Sequence, residues 1–179
     1  MELVGEKIKL TKISINDLDF ICRIECDKDL WYFEEYVYSD KNEVHEEYMN
    51  KIGEETPTSY DFIVTMNTDK SQTPIGLAQI WSDNEYRKSW EIGFAILPEY
   101  WGNGFGSAAA KLLLQFAFEK LDAHKVLGMC NANNTRSAVL MKNLNMRREA
   151  VFKEELFCKN KWVDQFYFSI LEREYFDRK

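Results

Sequence analysis

The chain has 179 residues, 45% of them hydrophobic, which is enough to bury one core and fits one domain spanning residues 1–179. Thirty acidic against 23 basic residues leave a net charge of −7, which argues against the basic face of a nucleic-acid binder and suits a cationic small molecule or a basic peptide as partner. No stretch approaches the roughly 18 consecutive apolar residues of a membrane span, and the charged opening MELVGEKIKL is unlike a signal peptide, so a cytoplasmic protein without a membrane partner is expected.

Ile8 and Leu10 alternate with Lys7, Lys9 and Thr11, the period of a half-buried first strand. Ser14 then stands where it can cap a helix carrying Ile15, Leu18, Ile21 and Cys22, with Glu25 or Cys26 next on the same stripe. The aromatic, acidic segment from Leu30 to Gly53 predicts one or two helices broken near Ser39 and Asp40. From Tyr60 onward, YDFIVTM, PIGLAQIW and SWEIGFAIL are short runs separated by the turn-prone NTDKSQT and SDNEYRK, the pattern of an antiparallel meander. Ser107 to Leu121 has little polar surface and reads as a deeply buried central helix. HKVLGMCN follows as a buried strand, then a helix capped by Asn134, then a hairpin turning at Lys159 and Asn160. The class is mixed α and β. Cys22, Cys26, Cys130 and Cys158 form no C-x-x-C pair, so they read as reduced core thiols and no metal is expected.

The segment YWGNGFGSAAAKLLLQF, Tyr100 to Phe116, places Gly102, Gly104 and Gly106 directly before the central helix. Strand, glycine turn and helix N-terminus together leave unpaired N–H groups and the positive end of a helix dipole around an anion, and phosphate is the natural guest. A Walker loop needs Gly-Lys-Ser/Thr, but Gly106 is followed by Ser107 and Ala108. The dinucleotide fingerprint belongs to a parallel βαβ unit, whereas this loop follows a meander. The plainer alternative is a glycine turn that only links strand to helix.

WEIGFAILPEYWGNGFGSAAAKLLLQFAF, NNTRSAVLMKNLNM and KWVDQFYFSILEREY resemble, in order, successive blocks of the GNAT-superfamily N-acetyltransferases, with the RimJ/RimL-like branch nearest. The resemblance implies an α+β GNAT fold, with a mixed, mostly antiparallel sheet of about seven strands flanked by helices, and acetyl-CoA as cosubstrate without a metal. It also implies that the amides of Gly102, Asn103, Gly104, Phe105, Gly106 and Ser107 hold the CoA pyrophosphate, that the backbone of Phe94, Ala95 and Ile96 pairs with the pantetheine arm, and that Asn134 borders the same site. Related proteins often form homodimers.

On the strand before the loop, Glu91, Gly93, Ala95 and Leu97 share one face, leaving it nearly bare apart from Glu91. Glu91 is a candidate base for an acceptor amine; the alternative is a solvated or salt-bridged edge residue. Because a protonated amine must lose a proton before it attacks, replacement of Glu91 by Gln is expected to hurt most at low pH, the loss shrinking as pH rises and free amine becomes available. Many GNAT enzymes protonate the departing thiolate with a tyrosine, but Met141 stands at that position. The RimL-like Asn-x-x-Ser pattern, Asn134 and Ser137, makes Ser137 the candidate donor, with simple helix capping as the other reading. Asn145 and Met146 replace the usual Gly-Phe ending. His45 and His124 are too isolated in sequence for a triad or metal site. Glu34, Glu35 and Tyr36 lie where the superfamily builds its acceptor pocket, in a stretch that resembles spermidine N-acetyltransferases; the alternative is a solvated acidic face. The resulting reading is acetyl transfer from acetyl-CoA to a primary amine, such as a protein N-terminal amine. The alternatives are a polyamine (spermidine-like) or aminoglycoside acetyltransferase, or a non-catalytic CoA-binding sensor or interaction module.

Overall fold

The computed structural model describes residues 1–52, 58–69 and 71–177; Gly53, expected to end the acidic segment, and Lys70 of the first meander turn lie outside them. Residues Glu2–Val4 (β1), Ile8–Lys12 (β2), Ser59–Met66 (β3), Pro74–Asn84 (β4), Ser89–Ile96 (β5), Lys125–Asn131 (β6), Arg147–Cys158 (β7) and Lys161–Leu171 (β8) form one sheet in the order β1-β2-β3-β4-β5-β6-β8-β7. Eight strands replace the expected seven. The addition is β1, a three-residue edge strand paired antiparallel with β2, too short to show a period of two.

Helices Leu18–Glu25 (α1) and Lys41–Ile52 (α2) cover one face, while Phe105–Lys120 (α3) and Thr135–Asn143 (α4) cover the other; Glu172–Phe176 (α5) closes the described chain. The strand register explains the two cores. Ile63, Leu77 and Ala95 are cross-strand partners and pack with Ile21, Ile24, Val44 and Tyr48. Phe62, Ala78 and Phe94 are aligned one residue over and pack with Leu113 and Phe116 of α3. Helix α3 buries residues around most of its circumference, including Ala109, Ala110, Leu112, Leu113, Leu114, Phe116 and Ala117, as its composition implied. Each such leucine or phenylalanine contributes about 1.5–3 kcal/mol on leaving water.

Ser14 precedes a 3-10 turn, Ile15–Asp17, in which the Asp17 carboxylate accepts from both the Ser14 N–H (2.8 Å) and its hydroxyl (2.7 Å). In the acidic segment only α2 is helical. Upstream, the Asp27 side chain accepts from the Asp29 and Leu30 amides and coils the chain into turns, and Asp40 starts α2 by accepting from the Asn42 amide at 2.8 Å. At the other end of the chain, Lys159 and Asn160 both take positive φ (52° and 62°), the two-residue turn of a twisted hairpin. All four cysteines are free.

Candidate active site

The site begins with a split in the sheet. Strands β5 and β6 are parallel and pair only at Ser89–Lys125, Trp90–Val126 and Glu91–Leu127. Beyond Glu91 they part, while β5 stays paired with β4 as far as Ile96. The Leu97 amide donates to Ile75 O at 2.9 Å, so by the alternation of an antiparallel ladder Ala95 spends its backbone groups on β4, while Phe94 and Ile96 turn theirs toward the gap. The Ile96 carbonyl is already taken, accepting from the Trp101 indole at 2.6 Å.

The glycine loop closes the end of this gap. Gly102 and Gly104 sit at φ 81° and 79°, left-handed conformations that disfavour any side chain, and Gly104 is the N-cap of α3. Gly106 serves close packing instead, because a Cβ there would lie 3.3 Å from the Phe94 ring and 3.4 Å from Leu140; its absence lets α3 close onto β5 and α4. Asn103 ties the loop by donating from its side chain to the carbonyls of Tyr100 and Trp101. Among the described residues, the backbone amides from Gly102 to Ser107 have no hydrogen-bond acceptor. Unpaired donors at a helix N-terminus, beside glycines with open space, fit a phosphate better than they fit a mere linker.

Helix α4 flanks the loop, with the Arg136 guanidinium 4.4 Å from the centre of the Trp101 ring. Asn134 caps this helix by accepting from the Ser137 amide at 3.1 Å. Among the described residues the Ser137 hydroxyl has no hydrogen-bond partner, and the residue is half-buried, so capping and proton donation draw on different atoms. Met141 is 2% exposed and lies on Gly128 of β6, where a Cβ would come within 2.6 Å of its methyl carbon. Its side chain is part of the core. Asn145, at φ 62°, ends the helix, with the Met146 amide donating to Met141 O and the Asn145 amide to Lys142 O, a Schellman closure built on asparagine.

On the opposite face of the sheet, Glu91 is half-buried. Its carboxyl is pushed up to about 7, first by loss of solvent and then by the charges of Asp83 and Glu34, with the Trp81 indole acting the other way. The strand face is less bare than its small residues imply, because the Trp81 ring fills the space over Gly93, 3.1 Å from where a Cβ would stand. A cavity of about 190 Å³ lies on this face, lined by Glu25, Trp31, Glu34, Tyr36, Val37, Tyr38 and Gln79. Glu34 opens to solvent at its mouth, and the partial loss of water there, with the Glu35 charge, raises its carboxyl. Of the three expected acceptor residues, Glu34 and Tyr36 line the cavity. Glu35 turns away and accepts from the Phe157 amide of β7 at 2.7 Å.

The cavity floor carries a network that sequence reasoning missed. The Tyr48 hydroxyl donates to Glu25 (2.8 Å) and accepts from Gln79, which also donates to Asp61 (2.7 Å). Burial raises the carboxyls of both Glu25 and Asp61. The available signal was Glu25 itself, an acid at the helical spacing of the apolar stripe of α1. A larger surface concavity of about 620 Å³, lined by Asp83, Tyr86, Lys88, His124 and Tyr167 among others, opens at the far end of β5 from the glycine loop.

A family model described as an acetyltransferase (GNAT) domain matches residues 7–147. The chain belongs to the GNAT acetyltransferase family. It is 36% identical over 87 residues to the uncharacterized N-acetyltransferase YnaD of Bacillus subtilis, a match covering 49% of this chain and 51% of that protein, so the chain spans about half the length of that relative. It is 25% identical over 177 residues to the spermidine N(1)-acetyltransferase of Vibrio cholerae, covering 98% and 99% of the two chains. The fold superposes on the crystal structure of spermidine N-acetyltransferase from Vibrio cholerae in complex with CoA and spermine, with a TM-score of 0.87 at 24% identity over 96% of this chain and 99% of that one. The family is one of acetyltransferases, which makes acetyl-CoA the cosubstrate against which the site is to be tested. The unpaired amides of Gly102–Ser107 and the open edge of β5 suit the anionic and amide-bearing parts of that cosubstrate. Among the described residues no cluster of three or more His, Cys, Asp or Glu side chains is arranged to hold a metal.

Proposed function

We propose that this GNAT acetyltransferase acetylates a primary amine of a small cation of the polyamine type. The observation that carries the reading is the acidic cavity walled by Trp31, Tyr36 and Tyr38, with Glu34 at its mouth and close enough to Glu91 for its charge to help raise that carboxyl. Aromatic faces and carboxylates together attract an ammonium group. The similarity to a spermidine acetyltransferase along nearly the whole chain supports the same choice.

Acetyl-CoA supplies the acyl group as an activated thioester. Glu91, with a carboxyl near 7, takes a proton from the acceptor nitrogen directly or through water, as a base tuned near the operating pH does well. The N–C bond forms as the C–S bond breaks, and the Ser137 hydroxyl gives its proton to the departing sulfur and regains one from solvent. Met141 can donate no proton. A second reading, a protein N-terminal amine as in the RimJ/RimL-like branch, is favoured by one observation: Ser137 holds a free hydroxyl beside Asn134 in the Asn-x-x-Ser pattern.

Thiol release from acetyl-CoA, measured on a panel of spermidine, spermine, aminoglycosides, peptides with free N-termini and neutral amines, decides between them. Polyamines are expected to react fastest, with a KM that rises with salt as the Debye length contracts from about 10 Å at 0.1 M to about 3 Å at 1 M. Preference for peptides selects the second reading. Equal rates for neutral and cationic amines without a salt effect overturn the electrostatic account, and no thiol release with any amine points to a sensor.

A further inference from the structure

We infer that Lys7, carried on the turn between β1 and β2, is a phosphate ligand of the cosubstrate site and meets the CoA pyrophosphate at the glycine loop. The inference rests on the reading that this loop receives the pyrophosphate, and it adds a residue from the other end of the chain. Lys7 Nζ donates to the Asn103 carbonyl at 3.2 Å, across 96 positions of sequence, and lies 3.5 Å from where a Cβ on Gly104 would be.

The base of that side chain is fixed. Gly5 N donates to Ile8 O at 2.9 Å to close the turn, and Asn67 braces it three times, through its amide to Lys7 O and through its side chain to the carbonyls of Gly5 and Glu6. Neighbouring lysines are otherwise engaged: Lys9 pairs with Glu2 at 2.8 Å, and the Lys12 ammonium lies 5.9 Å from the Tyr60 ring centre. Among the described residues Lys7 has no carboxylate partner. Its one partner is a neutral carbonyl, which satisfies one of its three N–H groups.

The location is the electrostatic point. An ammonium beside the first turn of α3 faces the positive end of the helix dipole and six unpaired N–H donors, all of the same sign, so an anion seated between them would be attracted by all three. The loop itself lacks the lysine of a Walker sequence, so any side-chain countercharge for a pyrophosphate comes from another element. Lys7 supplies it from the rim, and the two N–H groups not used on Asn103 are free to reach phosphate oxygens.

The test is calorimetric titration of the full chain with CoA and with dephospho-CoA, which keeps the pyrophosphate and lacks the 3′-phosphate. Lys7→Met is expected to weaken both ligands by about tenfold, the loss of one charge-assisted contact, and to flatten the salt dependence of binding. Lys7→Arg is expected to retain most of the affinity, and the unliganded variants to unfold at the wild-type temperature. Wild-type affinity in Lys7→Met overturns the inference. A loss confined to CoA assigns the ammonium to the 3′-phosphate and overturns the pyrophosphate contact, and an equal loss in Lys7→Arg with lowered unfolding temperature makes the residue structural. Gly104→Val separates the two levels: if it leaves CoA binding intact, the loop reading fails, whereas if it abolishes binding while Lys7→Met does nothing, only the role of Lys7 fails.

Discussion

The two sides of the β5 strand offer their proposed ligands different means of recognition. On the α3 side, apart from the Lys7 ammonium at the rim, the recognition elements are backbone: six unpaired amides, two glycines with positive φ and a strand edge freed by the split from β6. On the α1 and α2 side they are side chains: Glu25, Glu34, Trp31, Tyr36, Tyr38 and Gln79 around one cavity, with Glu91 beside them. Backbone recognition demands a conformation, so it is broken by bulk. Side-chain recognition demands chemistry, so it is retuned by isosteric exchange. The two sides are therefore expected to fail differently.

The largest effect is expected on the backbone side. At φ 79° a β-branched residue is an outlier, disfavoured by about 1–2 kcal/mol before any clash, and its side chain would project toward Lys7, into the space proposed for the phosphate. Gly104→Val should therefore abolish CoA binding by calorimetry, while circular dichroism retains the wild-type fold. Measurable CoA binding near the wild-type affinity would break the comparison at its root.

Next comes Glu91→Gln, expected to lower kcat by about 10³-fold near pH 8, within the range of general-base effects. The sign of the pH dependence follows from its raised carboxyl. Below about 7 Glu91 is protonated in the wild type and cannot serve as base, so wild-type activity should rise through that pH. The deficit of the variant should grow over the same interval, opposite to the low-pH maximum expected from the supply of free amine alone. A pH–rate profile unchanged in shape by the substitution would place the base elsewhere.

Smaller still is Ser137→Ala, expected to reduce turnover by about 10²-fold with little change in CoA affinity, because the cap at Asn134 engages the Ser137 backbone amide and survives the exchange. Single-turnover thiol release checks it. Wild-type turnover in this variant would leave Ser137 as an ordinary first-turn residue of α4.

Much of the fold and of the backbone side was legible in the sequence for a physical reason. Periodicity places β3, β4 and β5, Asn134 and Asn145 mark the ends of α4, and Gly102 and Gly104 announce the positive φ of the loop before α3. The sequence understated what depends on depth. Gly106 reads like its neighbours but serves close packing against Phe94 and Leu140, and Met141 reads as a missing acid although its methyl group fills the space left by Gly128. Glu35 and Glu34 are adjacent and chemically alike, yet one binds the β7 backbone and the other lines the cavity. No periodicity distinguishes them, because the choice is made by a strand more than a hundred residues away.

The short seam between β5 and β6 has a thermodynamic consequence. Three residue pairs join β1–β5 to β6–β8–β7, against seven between β6 and β8. A ligand seated across the split, as proposed, would touch the loop grown from one half and the helix α4 grown from the other. The stabilisation it adds, about 2.7 kcal/mol at a hundredfold excess over Kd, would then be linked to the docking of the halves, so that acetyl-CoA would act as a mortar of the fold as well as a donor of the acetyl group.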